Sequence, residues 1–409
     1  MNILEKTEKP AGLDLKCLNL LDQHLKKISR GHLVIELPDG SKKEYGDSTP
    51  AKRIIVNDTR FFSRLVLGGN VGLGEAWTDG DWDSDDLAGV LELFIHNMEA
   101  LKKSGLTAAL AKRMAHVVHH AKNKNTKEGS RRNIHAHYDL GNPFYSQFLD
   151  HETMMYSCAV FQNPEDSLAQ AQKNKIHKLI QQADIQPVHH VLEIGCGWGG
   201  FAIEVAKQTG CRVTGITISE EQFAYAKARV KAEGLQNQID ILMIDYRDLK
   251  GKFDRIVSIE MLEAVGHAFY GTFFETCDQL LNPNGRVMLQ VITIPDQRYD
   301  AYRANPDWIQ KHIFPGGMLP SLTELSKAMT KHSRFTVEHL SNIGIDYAET
   351  LRRWRYAFED RKEELLKLGF DETFQRKWIY YLCYCEAGFQ TRFTNTLHLV
   401  LTRPAECLG

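Results

Sequence analysis

The chain has 409 residues, of which 43% are hydrophobic and 25% are charged, so it is long enough for two domains with separate cores. Its formal net charge of −2 gives no overall attraction to nucleic acid or to an anionic membrane. Eight scattered cysteines without a CxxC pair are typical of a reducing cytosol. No segment resembles a signal peptide or approaches the ~20 apolar residues of a membrane span. These features predict a soluble or peripheral protein.

Residues 1–100 are predicted to form a small α+β domain. Residues 13–30 have helical periodicity, and after residue 31 the short apolar runs HLVIEL, RIIV and RLVLGG, between PDG and GGN turns, predict strands. Residues 101–132 then carry nine lysines and arginines against one acidic residue, Glu128, which predicts a basic helix and a linker. These cations could attract anionic head groups, and a solvated helix and linker is at least as good an interpretation.

Strands and helices alternate from about residue 187 to the run RVMLQVITI at 286–294. Alternation of this kind predicts a parallel sheet with helices on both faces. Beyond residue 320 the pattern predicts a helix, a strand, an aromatic helical region over 347–388 and a last strand, TLHLVLTR. The predicted fold of residues 133–409 is therefore α/β, with a Rossmann-like sheet and a helical cap.

A glycine-rich turn follows the first strand of this alternation. Residues 191–200 read VLEIGCGWGG, and Gly195, Gly197 and Gly199 let the backbone approach a ligand where side chains would clash. Glu193 lies two residues before the first glycine, so the motif is E-x-G-x-G-x-G and not a bare GxGxxG. The turn predicts a site for an adenosyl ligand.

The next two strands end in further polar residues. Thr217 and Ser219 end the second strand, and Gln222 follows in the next helix, so hydroxyl and amide groups could bind a ribose diol where an acidic residue is more usual. The third strand ends in DYR at 245–247, where an adenine ring would lie. Tyr246 is interpreted either as a stacking partner for that ring or as a packing aromatic.

Three further segments carry a resemblance to a known family. They are HYDLG at 137–141 followed by YSC at 156–158, MLEAVGH at 261–267, and IFPGGMLPS at 313–321. Together they resemble the cyclopropane-fatty-acyl-phospholipid synthase family, which includes the mycolic acid cyclopropane synthases and has the class I S-adenosylmethionine-dependent methyltransferase fold. The similarity runs from about 130 to 404, and before 130 it is confined to GEAWTDGDWD at 74–83.

The resemblance implies S-adenosylmethionine as cofactor and a set of residues around it. They are Tyr156, Ser157, Glu193, Gly195, Cys196, Gly197, Thr217, Ile218, Ser219, Gln222, Tyr246 and Arg247. The reaction centre would fall on Cys158, Glu263, Ile292 and Tyr347, which in this family surround a bound bicarbonate. Cys385 matches a cysteine discussed as catalytic in the family, although alkene methylation needs no thiolate and a cysteine in so aromatic a helix is more often part of the core.

The implied reaction transfers a one-carbon unit to the cis double bond of an unsaturated phospholipid acyl chain, through a carbocation that bicarbonate deprotonates. Gln290 stands where many members have a histidine, so an amide that can donate but cannot carry charge replaces an imidazole beside the bicarbonate. This change, and LEAVG in place of FEHVG, resemble the subgroup that includes the plant cyclopropane synthases. Branching methylases of acyl chains share parts of the pattern, so a methyl or methylene branch remains the alternative product.

A carbocation needs a dry, electron-rich pocket, and the aromatic residues of 347–388 could supply π faces, although for most of them a place in the core is the simpler interpretation. The aromatic cap argues against a small-molecule N-methyltransferase, and the intact glycines argue against a non-catalytic lipid-binding protein. Histidines without matched ligand spacing predict no metal site. The resemblance also implies a lipid-engaging, homodimer-forming N-terminal domain and a cytoplasmic enzyme at the inner membrane face.

Overall fold

The computed structural model describes residues 9–102 and 140–404. The predicted basic tract of residues 101–132 therefore lies almost entirely outside the described residues, as does the HYD of the HYDLG motif. In the ranges that are described, no helix is long and apolar enough to cross a membrane.

The N-terminal part combines helices with a small sheet. Its elements are α1 (Gly12–Leu25), β1 (His32–Glu36), β2 (Lys42–Gly46), β3 (Lys52–Val56), α2 (Arg60–Thr78), β4 (Trp82–Asp83), α3 (Leu87–His96) and α4 (Met98–Lys102). In the described chain the strand order is β2-β1-β3-β4, and β1 runs parallel to β3. The first helix ends at Leu25 and not near residue 30, because the N–H groups of Lys27 and Ile28 donate only three residues back, at 3.0 and 2.9 Å. The next two N–H groups, of Ser29 and Arg30, donate to Asn97 Oδ1 at 3.0 and 3.1 Å.

The predicted strand RLVLGG is wrong, because this segment lies inside α2. The helix is kinked at Gly69, which has φ 60° and ψ −138°, and the expected GGN turn is this kink. Buried Phe61, Phe62, Leu73 and Trp77 lie along the helix on both sides of the kink. A six-residue apolar run is too short to distinguish helix from strand by its period. The segment is helical because it is part of the 19-residue helix Arg60–Thr78.

The remaining described chain forms the predicted α/β fold. Its elements are α5 (Asn142–Tyr145), α6 (Leu168–Ala183), β5 (His190–Ile194), α7 (Gly200–Thr209), β6 (Arg212–Thr217), α8 (Glu220–Ala232), β7 (Ile239–Met243), β8 (Phe253–Ile259), α9 (Tyr270–Leu280), β9 (Leu281–Thr293), α10 (Asp296–Ala304), α11 (Trp308–His312), α12 (Leu322–His332), β10 (Thr336–Asn342), α13 (Gly344–Glu359), α14 (Lys362–Lys367), α15 (Glu372–Gln390) and β11 (Asn395–Thr402).

Within the described residues these strands form a seven-stranded sheet of order β10-β11-β9-β8-β5-β6-β7. Strands β5 to β9 are parallel, and β11 is antiparallel to both β9 and β10. Val191, Leu192, Ile256 and Val257 are completely buried, as expected for central strands covered on both faces. Strand order reverses between β5 and β8, so the cleft for a ligand lies at the carboxyl ends of these strands.

The helical cap joins the sheet to the N-terminal part. Arg376 of α15 donates to Trp77 O (2.8 Å) and to Asp83 (2.7 Å), and Trp77 Nε1 donates back to Arg376 O (2.9 Å). These bonds hold α15 against α2 and β4, so that helices of the N-terminal part lie beside the cap.

Candidate active site

A glycine loop joins β5 to α7 at the carboxyl end of the parallel strands. Gly195, Gly197 and Gly199 have φ angles of 84°, 51° and 82°, in the left-handed region that favours glycine. The N–H groups of Gly195 and Cys196 donate to Ile216 O at 3.0 and 2.9 Å, which ties the loop to β6. A Cβ built at Gly197 would meet no described atom within 4 Å, so this part of the loop faces an open cavity.

Two buried ionisable side chains, Glu193 and Lys175, interact electrostatically near the start of this loop. Glu193 is 2% exposed, burial raises its pKa to about 8, and its Oε2 has no hydrogen-bond partner among the described residues. Lys175 of α6 is completely buried and donates to the Ser157 hydroxyl at 2.7 Å, and burial lowers its pKa to about 8. Glu193 lines the cavity, so the amino group of a methionine moiety could satisfy its orphaned oxygen. The loop and Glu193 fit the expected cofactor.

The end of β6 places Thr217 and Gln222 on the cavity wall. The Thr217 hydroxyl donates to Gln222 Oε1 at 3.0 Å and so fixes the amide. Ser219 has a different role, because its hydroxyl caps α8 by accepting the Gln222 N–H at 3.3 Å and it does not line the cavity.

The end of β7 places Tyr246 and Arg247 where an adenine ring was expected, and both line the cavity. Arg247 forms a two-point ion pair with Asp245, with distances of 2.8 and 2.6 Å. The Tyr246 ring lies edge-on to Phe273, 5.7 Å between centroids, so it is also part of the core. The structure is therefore compatible with both interpretations of Tyr246, as a stacking partner and as a packing aromatic.

We expect Gly197→Val to weaken S-adenosylmethionine binding at least ~10-fold by calorimetry, because the side chain would occupy the cavity at the loop. Gly210→Val is the matched control. Gly210 also has a positive φ (75°) and open space around its Cβ, but it ends α7 and does not line the cavity. The strain is similar in the two variants, so equal affinities in both would contradict the assignment of the cofactor site.

A buried carboxylate that the sequence analysis missed lies at the end of β8. Glu260 has φ 50°, an uncommon conformation for a residue with a side chain. Its Oε1 accepts the Cys158 N–H (2.9 Å) and the Gln290 Nε2–H (2.8 Å), and its Oε2 accepts the Tyr347 hydroxyl (2.6 Å). These four residues form the Glu260 cluster. Its donors come from a loop, from β9 and from α13, so only the folded chain brings it together.

Hydrogen bonds on both sides of its amide hold Gln290 between the Glu260 cluster and His398 of β11. The two side chains are both buried, and His398 Nε2 lies 2.9 Å from Gln290 Oε1. Burial lowers the pKa of His398 to about 3, so the ring is neutral and carries one N–H. Two amide oxygens compete for that N–H, Gln290 Oε1 beside Nε2 and Gln182 Oε1 at 2.9 Å from Nδ1. Gln290 Nε2 itself donates to Glu260 Oε1 (2.8 Å) and to Cys158 O (3.2 Å). The amide is thereby held with its N–H groups toward the cluster.

A second carboxylate, Glu263, lies beside the cluster. Its Oε1 accepts the Ile292 N–H, and its buried Oε2 has no hydrogen-bond partner among the described residues. Burial, followed by repulsion from Glu260, raises the pKa of Glu263 to about 8. Glu263 is therefore mostly protonated at neutral pH.

The expected bicarbonate site does not fit this arrangement. Its donors were expected beside Cys158, Ile292 and Tyr347, and each of these groups has one hydrogen to give. The Cys158 N–H and the Tyr347 hydroxyl already donate to Glu260, and the Ile292 N–H donates to Glu263. A further anion would find these three donors and Gln290 Nε2 occupied, with the protonated Glu263 carboxyl as the one remaining expected donor and the Glu260 carboxylate beside it. No reaction step is therefore assigned to bicarbonate.

The high pKa of Glu263 has a consequence for stability. The folded protein retains this proton up to about pH 8, whereas the unfolded chain releases it near 4.5, so the stability that the proton confers falls as pH rises through that window. Glu263→Gln mimics the protonated form. We expect its melting temperature to rise by a few degrees relative to wild type at pH 8.5, and by less at pH 5, in scanning calorimetry. Exposed Glu363→Gln controls for loss of one charge, and a pH-independent difference for Glu263→Gln would contradict the prediction.

One cavity of about 1460 Å³ connects the glycine loop with the Glu260 cluster and continues to the N-terminal helices. Leu21 and Leu25 of α1, Leu65 of α2, and Phe94 and Ile95 of α3 line its apolar end. This volume exceeds the ~300–1,000 Å³ of a typical small-ligand pocket. The cavity can therefore hold a nucleotide-sized cofactor and an elongated apolar substrate together.

Aromatic side chains form one wall of this cavity. Those that line it include Tyr347, Tyr380, Tyr381, Tyr384 and Phe389. The Tyr347 and Phe389 rings are stacked with 4.4 Å between centroids, beside the Glu260 cluster. Other cap aromatics have structural positions, because Trp354, Phe358 and Trp378 are buried outside the lining and Tyr356 is 53% exposed. Tyr347, Tyr380 and Tyr381 are buried in the same core cluster as the three buried residues outside the lining, so six of the aromatic residues of 347–388 belong to the core, as expected for most of them.

Most predicted site residues line the cavity. They are Tyr156, Ser157, Glu193, Gly195, Cys196, Gly197, Thr217, Ile218, Gln222, Tyr246, Arg247, Glu263, Ile292, Tyr347 and Cys385. Cys158, Ser219 and Gln290 do not, and Cys158 contributes its backbone N–H while its thiol faces carbonyl oxygens at 3.2 and 3.6 Å. Burial raises the pKa of Cys385, which keeps it a thiol and not a nucleophilic thiolate.

The strand order, the glycine loop and the cavity beyond it are those of a class I S-adenosylmethionine-dependent methyltransferase. The chain belongs to the mycolic acid cyclopropane synthetase family, whose family model matches residues 125–399. It is 37% identical to tuberculostearic acid methyltransferase UfaA1 of Mycobacterium tuberculosis, over 91% of this chain and 88% of that protein. It is 36% identical to cyclopropane-fatty-acyl-phospholipid synthase of Escherichia coli, over 88% of this chain and 90% of the relative.

Solved structures agree with this assignment. Mycolic acid cyclopropane synthase CmaA1, in complex with SAH and CTAB, is 29% identical and superposes with a TM-score of 0.62, covering 66% of this chain and 97% of its own. The cyclopropane synthase MmaA2 of Mycobacterium tuberculosis gives the same TM-score of 0.62 and 29% identity. The chain is thus an S-adenosylmethionine-dependent methyltransferase of this family.

Proposed function

We propose that this chain transfers a one-carbon unit from S-adenosylmethionine to the cis double bond of an unsaturated phospholipid acyl chain and closes a cyclopropane ring. The observation that supports this most directly is the single cavity that runs from the glycine loop, past the Glu260 cluster, to the apolar side chains of α1, α2 and α3. A head-group methyltransferase would have no use for such an apolar extension.

The cofactor supplies an electrophilic methyl group, and the chain's own residues control the fate of the cation that its transfer creates. Attack by an alkene leaves a carbocation that must not meet water. The π faces of Tyr347, Tyr381 and Phe389 can stabilise that charge without bonding to it. Tyr381 shares a hydrogen bond of 2.8 Å with the Tyr156 hydroxyl, which satisfies both polar groups inside the apolar wall.

Two relatives support the substrate class from different directions. The Escherichia coli relative carries a name that specifies an acyl phospholipid, and it is aligned over nearly its whole length. CTAB, bound to the solved mycobacterial relative, has a long alkyl chain. We place this chain's encounter with its lipid at the inner face of the cytoplasmic membrane, as part of the proposal.

A methyl or methylene branch is the second candidate product, and the 37% identity to a tuberculostearic acid methyltransferase favours it. Both products begin with the same methyl transfer. A ring closes when a proton leaves the delivered methyl group and its C–H pair bonds to the cationic carbon. A methylene branch requires that a hydride first shifts from the methylated carbon to the cationic carbon, so that loss of a methyl proton then forms the C=CH2 bond. An unsaturated methyl branch forms when the proton leaves the chain instead.

The test uses purified protein, vesicles of dioleoylphosphatidylglycerol and S-adenosylmethionine with a fully deuterated methyl group. A ring retains two deuterium atoms from that methyl group and resists mild hydrogenation. A methylene branch also retains two but is reduced by hydrogenation, and a methyl branch formed by loss of a chain proton retains three. Gas chromatography with mass spectrometry of the released acyl esters separates these outcomes, and modification of the head group alone would refute the proposal.

A further inference from the structure

The Glu260 cluster is more elaborate than a structural contact requires. Three donors converge on one carboxylate, from Cys158, Gln290 and Tyr347, and buried His398 contacts Gln290 from a second layer. The Glu260 side chain lines the cavity, next to the aromatic wall. Glu260 also has a strained backbone conformation, with φ 50°, and such strain is found preferentially at functional sites.

Ring closure on the proposed alkene substrate requires a base inside the cavity. The alkene π pair forms a C–C bond with the delivered methyl group while the C–S bond breaks and sulfur keeps its electron pair. One proton of that methyl group must then leave, so that its C–H pair can form the last ring bond to the cationic carbon. The base that takes this proton must be close, because bulk water would add to the cation.

We propose that Glu260 is the proton acceptor of this reaction, built into the chain in place of a dissolved anion. The inference rests on the proposed function. Burial raises the pKa of Glu260, and the three donors and the positive charge of buried Lys175 on α6 oppose that rise, because they favour the charged, accepting form of the carboxylate. Glu263 is the poorer candidate, since it has one donor and an orphaned buried oxygen. The pair resembles other enzyme sites in which two carboxyl groups in different surroundings hold different protonation states.

The first test measures bicarbonate dependence without mutation. Wild-type protein is assayed on the same vesicles in buffer freed of carbon dioxide, with and without added bicarbonate, and the two rates should be equal. A rate that collapses without bicarbonate and recovers with it would overturn the role of Glu260 while leaving the proposed function intact. Absence of any modified acyl chain from wild type, in either buffer, would refute the proposed function itself and the inference with it.

The second test uses two substitutions of the same carboxylate. Glu260→Gln retains the shape but cannot accept a proton, and its turnover should fall at least ~10²-fold, the usual scale for loss of a general base. Glu260→Ala leaves a space within reach of the three donors, so formate, acetate or bicarbonate should restore part of its activity, whereas chloride at the same ionic strength should not. Wild-type turnover by Glu260→Gln would contradict the proposal.

A measurement independent of turnover distinguishes a role of Glu260 as proton acceptor from a purely structural role. Carbon-13 bicarbonate is added to the protein without S-adenosylmethionine, and its resonance should broaden with Glu260→Ala but not with wild type, because only the variant has free donors. S-adenosylmethionine affinity should be similar in all three proteins. Broadening with wild type would show that bicarbonate binds while the Glu260 carboxylate is present. That result would contradict the proposal that Glu260 takes the place of the dissolved anion.

Discussion

Tyr347→Phe should slow turnover on phospholipid vesicles by ~10²-fold and leave S-adenosylmethionine affinity unchanged. The Tyr347 hydroxyl donates to Glu260 Oε2 at 2.6 Å, and the side chain is 6% exposed, so water cannot readily replace the lost donor. A hydrogen bond to a charged carboxylate is among the stronger ones in proteins. Without it the carboxylate is both less fixed and harder to keep ionised.

The same substitution should alter the pH profile in a defined direction. Loss of a donor to the charged form raises the pKa of Glu260 further above its ordinary value, which burial already raises. A base acts in its deprotonated form, so the acidic limb of the rate profile should move to higher pH. Lys175 and Glu263 also face Glu260, and neither is changed by the substitution.

Tyr299→Phe is the matched control for this experiment. Tyr299 is also a buried tyrosine with a bonded hydroxyl, 2.7 Å from His267 Nδ1, but it lies outside the cavity lining. It should retain the wild-type rate and pH profile. A Tyr347→Phe profile that overlays the wild-type profile would mean that Glu260 does not titrate in the rate-limiting step.

The parts of the fold that could be predicted are those with local signals. The glycine loop follows a buried strand within ten residues, 191–200, and its backbone conformation requires glycine, so the sequence alone identifies it. The alternation of strands and helices likewise fixed the α/β class. The strand prediction for RLVLGG was wrong because six residues are too few to show a reliable period. In addition, the glycines that form the kink at Gly69 have the sequence pattern of a turn.

Glu260 could not be recognised in the same way. Its three partners lie 102, 30 and 87 residues away, and its donors are a backbone N–H, an amide and a hydroxyl that carry no motif of their own. Its one sequence signal was position, since it directly follows a parallel strand at the carboxyl edge of the sheet. The sequence could not identify Lys175 as a buried residue either. A lysine in an amphipathic helix is expected to be exposed, whereas the fold buries this one against Ser157.

Leu65→Trp should lower kcat/KM for vesicle phospholipid at least ~10-fold without changing S-adenosylmethionine affinity, because the larger ring would project into the apolar end of the cavity. Leu65 lies on α2, in the N-terminal part, and lines the same cavity as the glycine loop. The two ends of that cavity are formed by different parts of the chain. A substitution at one end can therefore separate lipid binding from cofactor binding.

Leu67→Trp on the same helix is the control, since Leu67 is 55% exposed and lies outside the lining. It adds the same bulk to the same helix and should behave as wild type. If Leu65→Trp and Leu67→Trp both retained wild-type kcat/KM, the acyl chain would not pass between the N-terminal helices. A parallel loss of S-adenosylmethionine binding in Leu65→Trp would instead mean that the substitution disturbs the whole cavity. Only selective loss of lipid turnover assigns the apolar end of the cavity to the acyl chain.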